Sequence, residues 1–301
     1  MMTDTSGASP GLLHGWNERT APLSRPIPEI ESSGFSVVGP VREDNQDSIH
    51  MPDLDPANPD GHGLLFAVAD GMGGYAHGAV ASRMALDILS GTFVSGNHST
   101  PIRKVLKRGI EKANLDIYQK AHQLGAGRIG TTLTAAYLIG NLLHLAHIGD
   151  SRAYLIRDGR ATCLSADHTV VGDMVRGRLL TPDKIRSHAQ RSILTKAIGI
   201  GLFVQPDITR HRLHEGDCLI LCSDGVWSVV QDDDFARIAS HAGTVKKIGE
   251  GLIELALRNN TDDNASVVVV HINRPSHLPE VHRNDEDSHT HWLDRLRKLV
   301  P

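Results

Sequence analysis

The chain has 301 residues, 40% of them hydrophobic, with a formal net charge of −4 and a sequence pI near 6.5. That length supplies a substantial core in one large domain or two small ones. The charge balance gives no overall basic field to draw nucleic acid or an anionic membrane, and no apolar run approaches the roughly 18 residues of a membrane span.

Residues 1–32 hold Gly, Pro, Ser and Thr without periodicity and read as a flexible N-terminal arm. The arm has neither the basic nor the apolar stretch of a signal peptide. Residues 33–273 read as one globular domain. Ser36-Val37-Val38 is a short first strand. Leu64 to Ala69 is a continuous apolar run ending at Asp70-Gly71, the pattern of a strand buried on both faces. Gly78 to Phe93 reads as a helix. A second helix follows, with Ile102, Leu106, Ile110, Ala113 and Ile117 along one face.

The pattern then changes to short β-branched and apolar runs: Thr131–Ile139, Leu142–Ile148, Arg152–Arg157 and Ala161–Leu164. Gly140-Asn141, Gly149-Asp150 and Asp158-Gly159 punctuate them, which predicts a meander of antiparallel hairpins. Asp217–Cys222 is a further strand, Asp232–Ser240 and Val245–Leu257 are helices, and Ala265–Ile272 is a closing strand. Strands grouped together with helices in pairs indicate an α+β fold, with two packed antiparallel sheets flanked by helices.

Residues 274–301 read as a C-terminal tail. His282, His289 and His291 lack regular ligand spacing and suit a polar disordered segment. Trp292, Leu293, Leu296, Leu299 and Val300 form an apolar stripe opposite Arg295, Arg297 and Lys298. This predicts a short amphipathic helix that docks on its own domain, with a partner or a membrane surface as the alternatives. The three cysteines are Cys163, Cys218 and Cys222. The last two, four apart on one strand, stand about 13 Å from each other and cannot form a disulfide. Buried reduced thiols agree with a cytoplasmic location.

The informative feature is the position of the aspartates. Asp70, Asp150 and Asp224 each follow an apolar strand. Asp262-Asp263-Asn264 immediately precedes one, and Asp44 and Asp47 follow an early strand. A lone Asp beside Gly at a strand end is ordinarily a turn residue. Repetition at central strands suggests instead that several carboxylates share one volume, and such like charges need cations to coexist. Hard oxygen donors favour Mg²⁺ or Mn²⁺ over zinc, and two such ions can clamp a phosphoryl group. Arg42, just ahead of the acidic cluster, offers a planar fork for two phosphate oxygens. Sequence spacing alone does not establish that these groups meet in space.

In order, Val41-Arg42-Glu43-Asp44-Asn45-Gln46-Asp47-Ser48, Val68-Ala69-Asp70-Gly71-Met72-Gly73-Gly74, Gly130-Thr131-Thr132-Leu133-Thr134, His147-Ile148-Gly149-Asp150-Ser151-Arg152, Leu221-Cys222-Ser223-Asp224-Gly225 and Asp262-Asp263-Asn264-Ala265-Ser266 resemble the motifs of the PPM (protein phosphatase 2C-like) phosphatases over residues 33–273. The resemblance is to the compact bacterial members that oppose Ser/Thr kinases. It implies a four-layer αββα sandwich and a metal-dependent serine/threonine protein phosphatase. Asp47, Asp70 and the Gly71 carbonyl would hold one Mn²⁺ or Mg²⁺. Asp70, Asp224 and Asp263 would hold the second, with Asp70 bridging. Asp150, helped by Asp224, would hold a weaker third ion. Arg42 would bind the phosphate, and a metal-bridging water would attack phosphorus in line. The implied partners are Ser/Thr-phosphorylated proteins and a cognate kinase.

Two positions depart from the pattern. Gln46 stands where many eukaryotic members have Glu, and Met72 stands where many have a His proposed as general acid. His77 and His168 are distant substitutes, and a structural role is the stronger reading for both. The stretch Ala166–Arg191 resembles the family's flap. A loop this long beside a site often selects substrates, although an ordinary surface excursion fits the residues equally. Gly71-Met72-Gly73-Gly74 does not suit a dinucleotide loop, because Asp70 would face the pyrophosphate and no βαβ repeat follows. A catalytically silent phosphoprotein-binding regulator and a different two-metal hydrolase, such as a phosphodiesterase, remain the competing readings.

Overall fold

A computed structural model describes residues 27–53, 63–73, 77–94, 100–125 and 128–276. The His-rich tail and its expected amphipathic helix lie outside the described residues, as does the arm up to residue 26. In chain order the elements are β1 (Glu29–Val37), β2 (Asp47–His50), β3 (Leu64–Met72), α1 (His77–Val94), α2 (Ile102–Leu124), β4 (Gly130–Thr131), β5 (Leu133–Ile139), β6 (Leu142–Ile148), β7 (Arg152–Arg157) and β8 (Arg160–Cys163). Then follow α3 (Val170–Arg176), β9 (Asp207–Arg212), β10 (Cys218–Cys222), α4 (Asp224–Trp227), α5 (Asp232–His241), α6 (Val245–Arg258) and β11 (Ala265–Arg274).

The strands form two antiparallel sheets, ordered β1-β11-β10-β7-β8 and β2-β3-β5-β6-β9, with β4 pairing β3. The period of two along each strand builds the layers. Leu64, Phe66 and Val68 of β3 point between the sheets and meet Leu219 and Leu221 of β10 and Val268 and Val270 of β11. The alternate residues Leu65, Ala67 and Ala69 pack against Leu89, Leu106 and Ile110 of α1 and α2. On the other side, Ile220, Val267 and Val269 meet Trp227, Phe235 and Leu252 from α4, α5 and α6. Both faces of both sheets are covered, so the central strands read as unbroken apolar runs. The expected αββα sandwich is the observed one.

The predicted meander divides at Gly149-Asp150. β6 belongs to one sheet and β7 to the other, so this turn carries the chain across the sandwich. Gly149 has φ +103°, and a Cβ there would meet Thr132 at 2.6 Å. The two true hairpin turns, at Gly140-Asn141 and Asp158-Gly159, fall where expected; Gly140, Asp158 and Gly159 all have positive φ. β1 begins at Glu29, inside the stretch read as the arm. Its polar sequence, Glu-Ile-Glu-Ser-Ser, is held by pairing with β11 rather than by an apolar pattern.

Candidate metal centre

The crossing between sheets gathers strand ends at one end of the sandwich. Asp47 opens β2 and lies directly opposite Asp70 near the end of β3. Asp224 is the first residue of α4, immediately after β10, and Asp263 stands two residues before β11. Asp150 occupies the β6–β7 crossing, where Trp227 Nε1 donates to its carbonyl at 2.8 Å. Residues far apart in sequence therefore converge, as the aspartate pattern implied.

Their electrostatics show how closely they meet. Burial pushes the Asp70 carboxyl well above the usual carboxylate range, and the charges of Asp47, Asp224, Asp150 and Asp263 all push it further. Asp47 is raised to about 7, first by burial and then by Asp224 and Asp263, against hydrogen bonds from Ser266 and Ser223 that lower it. Asp224 is raised to about 6 by burial and Asp263, while a hydrogen bond with the Asp70 carboxyl pulls it down. Burial, then Asp224 and Asp167, raise Asp150 well above its ordinary value. A cluster of this kind is unfavourable unless protons or cations offset the repulsion.

The donor chemistry fits a hard cation. Asp47 Oδ1 and Asp224 Oδ1 are buried and accept no hydrogen bond, an expense that native interiors avoid except where a group is reserved for a ligand. Every candidate donor is oxygen, the preference of Mg²⁺ and Mn²⁺. Among the described residues, no three acidic, histidine or cysteine side chains stand close enough together to hold a metal ion as they are placed. The carboxylates meet pairwise instead, with Asp70 and Asp224 in direct contact.

Neighbouring polar groups fix the carboxylates. Ser223 Oγ donates to Asp47 Oδ2 at 2.7 Å and accepts from Ser266 N–H at 3.0 Å. Thr132 Oγ1 accepts the Asp70 N–H at 2.9 Å, and Thr131 Oγ1 donates to the Asp70 carbonyl at 2.9 Å. Asn264 clasps the loop before β2: its Nδ2 donates to Val38 O at 2.7 Å and Asp44 O at 2.9 Å, and its Oδ1 accepts from Gln46 N–H at 2.9 Å. That loop carries Arg42, whose Nη2 donates to Asp263 Oδ2 at 2.6 Å and whose Nε reaches the Asp262 carbonyl at 3.3 Å. Arg42 is thus half-exposed at the rim, with its guanidinium against the cluster. Asp44 is itself exposed and contributes only its carbonyl.

The Gln46 departure has a physical explanation. Gln46 Nε2 donates to Gly73 O at 3.4 Å, and a Cβ on Gly78 would lie 2.2 Å from Gln46 Oε1. The amide packs against the β3–α1 connection. Gly71 meets the same crowding: a Cβ there would lie 2.1 Å from the Gly78 carbonyl, so the Gly-rich turn serves close approach of α1 to β3. His168 is buried and accepts the Gly149 N–H on Nδ1 at 3.2 Å, while its Nε2 faces Asp207 Oδ2 and Lys196 Nζ, each at 3.2 Å. It braces the turn that carries Asp150. His147 stacks on it at 5.0 Å and is lowered to about 4, chiefly by burial.

The stretch 166–191 contains α3, capped by Thr169, whose Oγ1 accepts the Gly172 N–H at 2.9 Å. Arg186 fastens it to the domain, donating to Trp227 O at 2.9 Å and Asp232 Oδ1 at 2.6 Å. A cavity of about 570 Å³ lies between it and α5, lined among others by Arg152, Asp167, Arg176 and Asp233. None of the five clustered carboxylates lines this cavity, so carboxylate chemistry rather than cavity size locates the site.

Residues 42–251 match the family model described as protein phosphatase 2C. The chain is 36% identical over 237 residues to serine/threonine protein phosphatase PstP of Mycobacterium tuberculosis, covering 78% of this chain and 43% of that protein. It therefore spans less than half of the mycobacterial relative. Identity to protein phosphatase PhpP of Streptococcus pneumoniae is 33% over 250 residues, covering 81% of this chain and 98% of that one. A solved structure of the catalytic domain of serine threonine protein phosphatase PstP, in complex with two manganese ions, superimposes with a TM-score of 0.69 at 32% identity, covering 80% of this chain and 97% of that one.

Proposed function

This chain belongs to the protein phosphatase 2C family, and from that premise we propose that it is a metal-dependent phosphatase of phosphoserine and phosphothreonine proteins. The observation that carries the reading is the mutual approach of Asp47, Asp70, Asp150, Asp224 and Asp263, with buried carboxylate oxygens on Asp47 and Asp224 that nothing else satisfies. Asp47, Asp70, Asp224, Asp263 and the Gly71 carbonyl would hold two divalent cations, with Asp150 and Asp224 serving a weaker third. When bound, such ions neutralise phosphoryl charge and activate water for attack at phosphorus.

The chain's own residues do the rest by position. Asp70 sits centrally among the acidic groups and would help to hold both ions. Ser223, Thr132 and Asn264 keep the carboxylates oriented, so little reorganisation accompanies reaction. Arg42 has five N–H donors, two of them engaged on Asp262 and Asp263. The others offer a fork to the phosphoryl oxygens at the rim, where a protein-borne phosphate can enter. Met72 has no proton to donate, and His168 is committed to Gly149 and Asp207, so proton delivery to the leaving alkoxide falls to solvent at the cluster. The flap, fastened through Arg186, contacts the substrate protein beside the site. A kinase that phosphorylates the same targets is the expected counterpart, and the free thiols of Cys163, Cys218 and Cys222 suit a cytoplasmic setting.

The test is hydrolysis of a phosphothreonine peptide with Mn²⁺ or Mg²⁺ against a phosphodiester control. Metal-dependent monoester turnover that chelation abolishes supports the proposal; turnover that persists under chelation contradicts it.

A further inference from the structure

The even overall charge conceals a strongly basic face. The exposed side of α2 carries Arg103, Lys104 and Arg108, and none of them forms an ion pair among the described residues. Lys107 and Lys112 are balanced by Glu111 and Asp116 on the same helix. Beside α2 lies the edge strand β9. Its Ile208 packs against the helical layer, so Arg210 and Arg212, at alternate positions, share that side. Both are exposed and likewise without an ion pair among the described residues. Arg103 joins the two elements, with Nη1 donating to Ile208 O at 2.8 Å. Five cations without an ion pair among the described residues therefore lie on these two elements, joined at Arg103.

An apolar prominence is fastened further along the same helix, at Asn114. The turn leading to β9 shows Phe203 94% exposed and Leu202 57% exposed. It is not a loose loop. Asn114 of α2 is buried, and it accepts the Gly199 N–H at 2.8 Å and donates to the carbonyls of Gly201 at 2.8 Å and Leu202 at 3.2 Å. Val204 packs into the core just beyond. Leu115, exposed at 42%, lies on the same helical stripe as Lys104 and Arg108. A buried, fully bonded asparagine thus holds a bare phenylalanine out into water beside a basic helix. Solvation alone gives no reason for that arrangement, since an exposed contiguous apolar group signals an interaction.

We propose that α2, β9 and the Leu202-Phe203 turn form a docking face for an anionic membrane surface. Basic residues drawn to acidic headgroups, together with an aromatic side chain that enters the headgroup boundary, are what such a surface selects. An acidic protein tract would satisfy the cations but would leave Phe203 without its apolar partner. The inference goes beyond the reaction proposed above and does not depend on it.

The test is co-sedimentation of the full chain with vesicles of phosphatidylcholine alone or with about a third phosphatidylserine, at low and high salt. The expected result is binding to the anionic vesicles only, weakened at least tenfold by raised salt. Phe203→Ser and the pair Arg108→Glu with Arg210→Glu should each weaken binding at least tenfold. These exposed substitutions should leave the circular dichroism spectrum and thermal midpoint unchanged, which shows that the variants are folded. Absence of binding, equal binding to neutral vesicles, or binding that survives both sets of substitutions would overturn the proposal. Capture of a polyglutamate peptide without vesicle binding would assign the face to an acidic protein and overturn it equally.

Discussion

Two groups of buried charge lie close together in this molecule and are built on opposite principles. Beneath the flap, Arg152 grips Asp167 with two hydrogen bonds of 2.9 and 2.6 Å, donates to Tyr154 Oη at 3.1 Å and lies 3.5 Å from the Trp227 ring centroid. Every charge there has its partner. At the strand ends, Asp47 and Asp150 are buried and Asp70 and Asp224 half-buried, all with like charges for neighbours, and one oxygen each of Asp47 and Asp224 has no partner. A paired buried charge fastens structure. An unpaired set is tolerated where a ligand completes it.

Substitutions can break the contrast. Asp224→Asn removes a central carboxylate at nearly constant volume. Turnover of a phosphothreonine peptide should fall about a thousandfold or more, about 4 kcal/mol of transition-state stabilisation. The metal-free protein should be no less stable, because a repulsion has been removed. Asp167→Ala should do the reverse. Leaving Arg152 buried without its anion costs about 3–5 kcal/mol in a denaturant titration, while the double change Arg152→Met with Asp167→Leu should recover most of that loss. Between these extremes lies Arg42→Ala. Its pair with Asp263 is exposed and contributes about 0–1 kcal/mol to stability. Loss of the fork should nonetheless lower kcat/KM by about 10- to 100-fold, about 1.4–2.7 kcal/mol.

The smallest effect is a pH dependence that sharpens the same distinction. The clustered carboxylates have folded-state values raised above the ordinary 3.8, to about 7 for Asp47 and higher than usual for Asp70 and Asp150. The folded metal-free protein therefore binds more protons than the unfolded chain, and its stability falls as pH rises through that range. His147, lowered to about 4, and His50 and His168, also lowered by burial, act oppositely, each offsetting up to about 0.4 kcal/mol above pH 6.5 as the unfolded imidazole loses its remaining half proton. Between pH 6.5 and 8.5 the metal-free protein should lose on the order of 1–2 kcal/mol. Thermal unfolding with a chelator should show this fall, and added Mn²⁺ should reverse it most at the alkaline end.

Much of this architecture was legible because burial on both faces writes itself as unbroken apolar runs. β3, β10 and β11 were found that way, and the hairpin turns were marked by residues that tolerate positive φ. β2 and β9 escaped because each is short and lies at a sheet edge. The Asp-Ile-Thr-Arg-His-Arg run of β9 is exposed at most positions and carries no period of burial. The crossing at Gly149-Asp150 looked like a hairpin because a glycine-aspartate turn does not disclose which sheet receives the next strand. The aspartates themselves were identifiable from their places at strand ends. Their supports were not: Ser223 on Asp47, and Asn264 on Val38, Asp44 and Gln46, act across separations of 176 to 226 residues. Gln46 was legible only as a departure from the family pattern; that its amide packs on Gly73 and Gly78 was not. The basic face of α2 and β9 was hidden for the same reason, because summed charge says nothing of where opposite charges lie.

The most direct measurement is anomalous diffraction at the manganese edge from crystals of the chain soaked in Mn²⁺. The account expects two strong peaks enclosed by Asp47, Asp70, Asp224 and Asp263, with Asp70 contacting both. Crystals saturated with Mn²⁺ whose only peaks lie elsewhere on the surface, leaving those four carboxylates without metal, would contradict it.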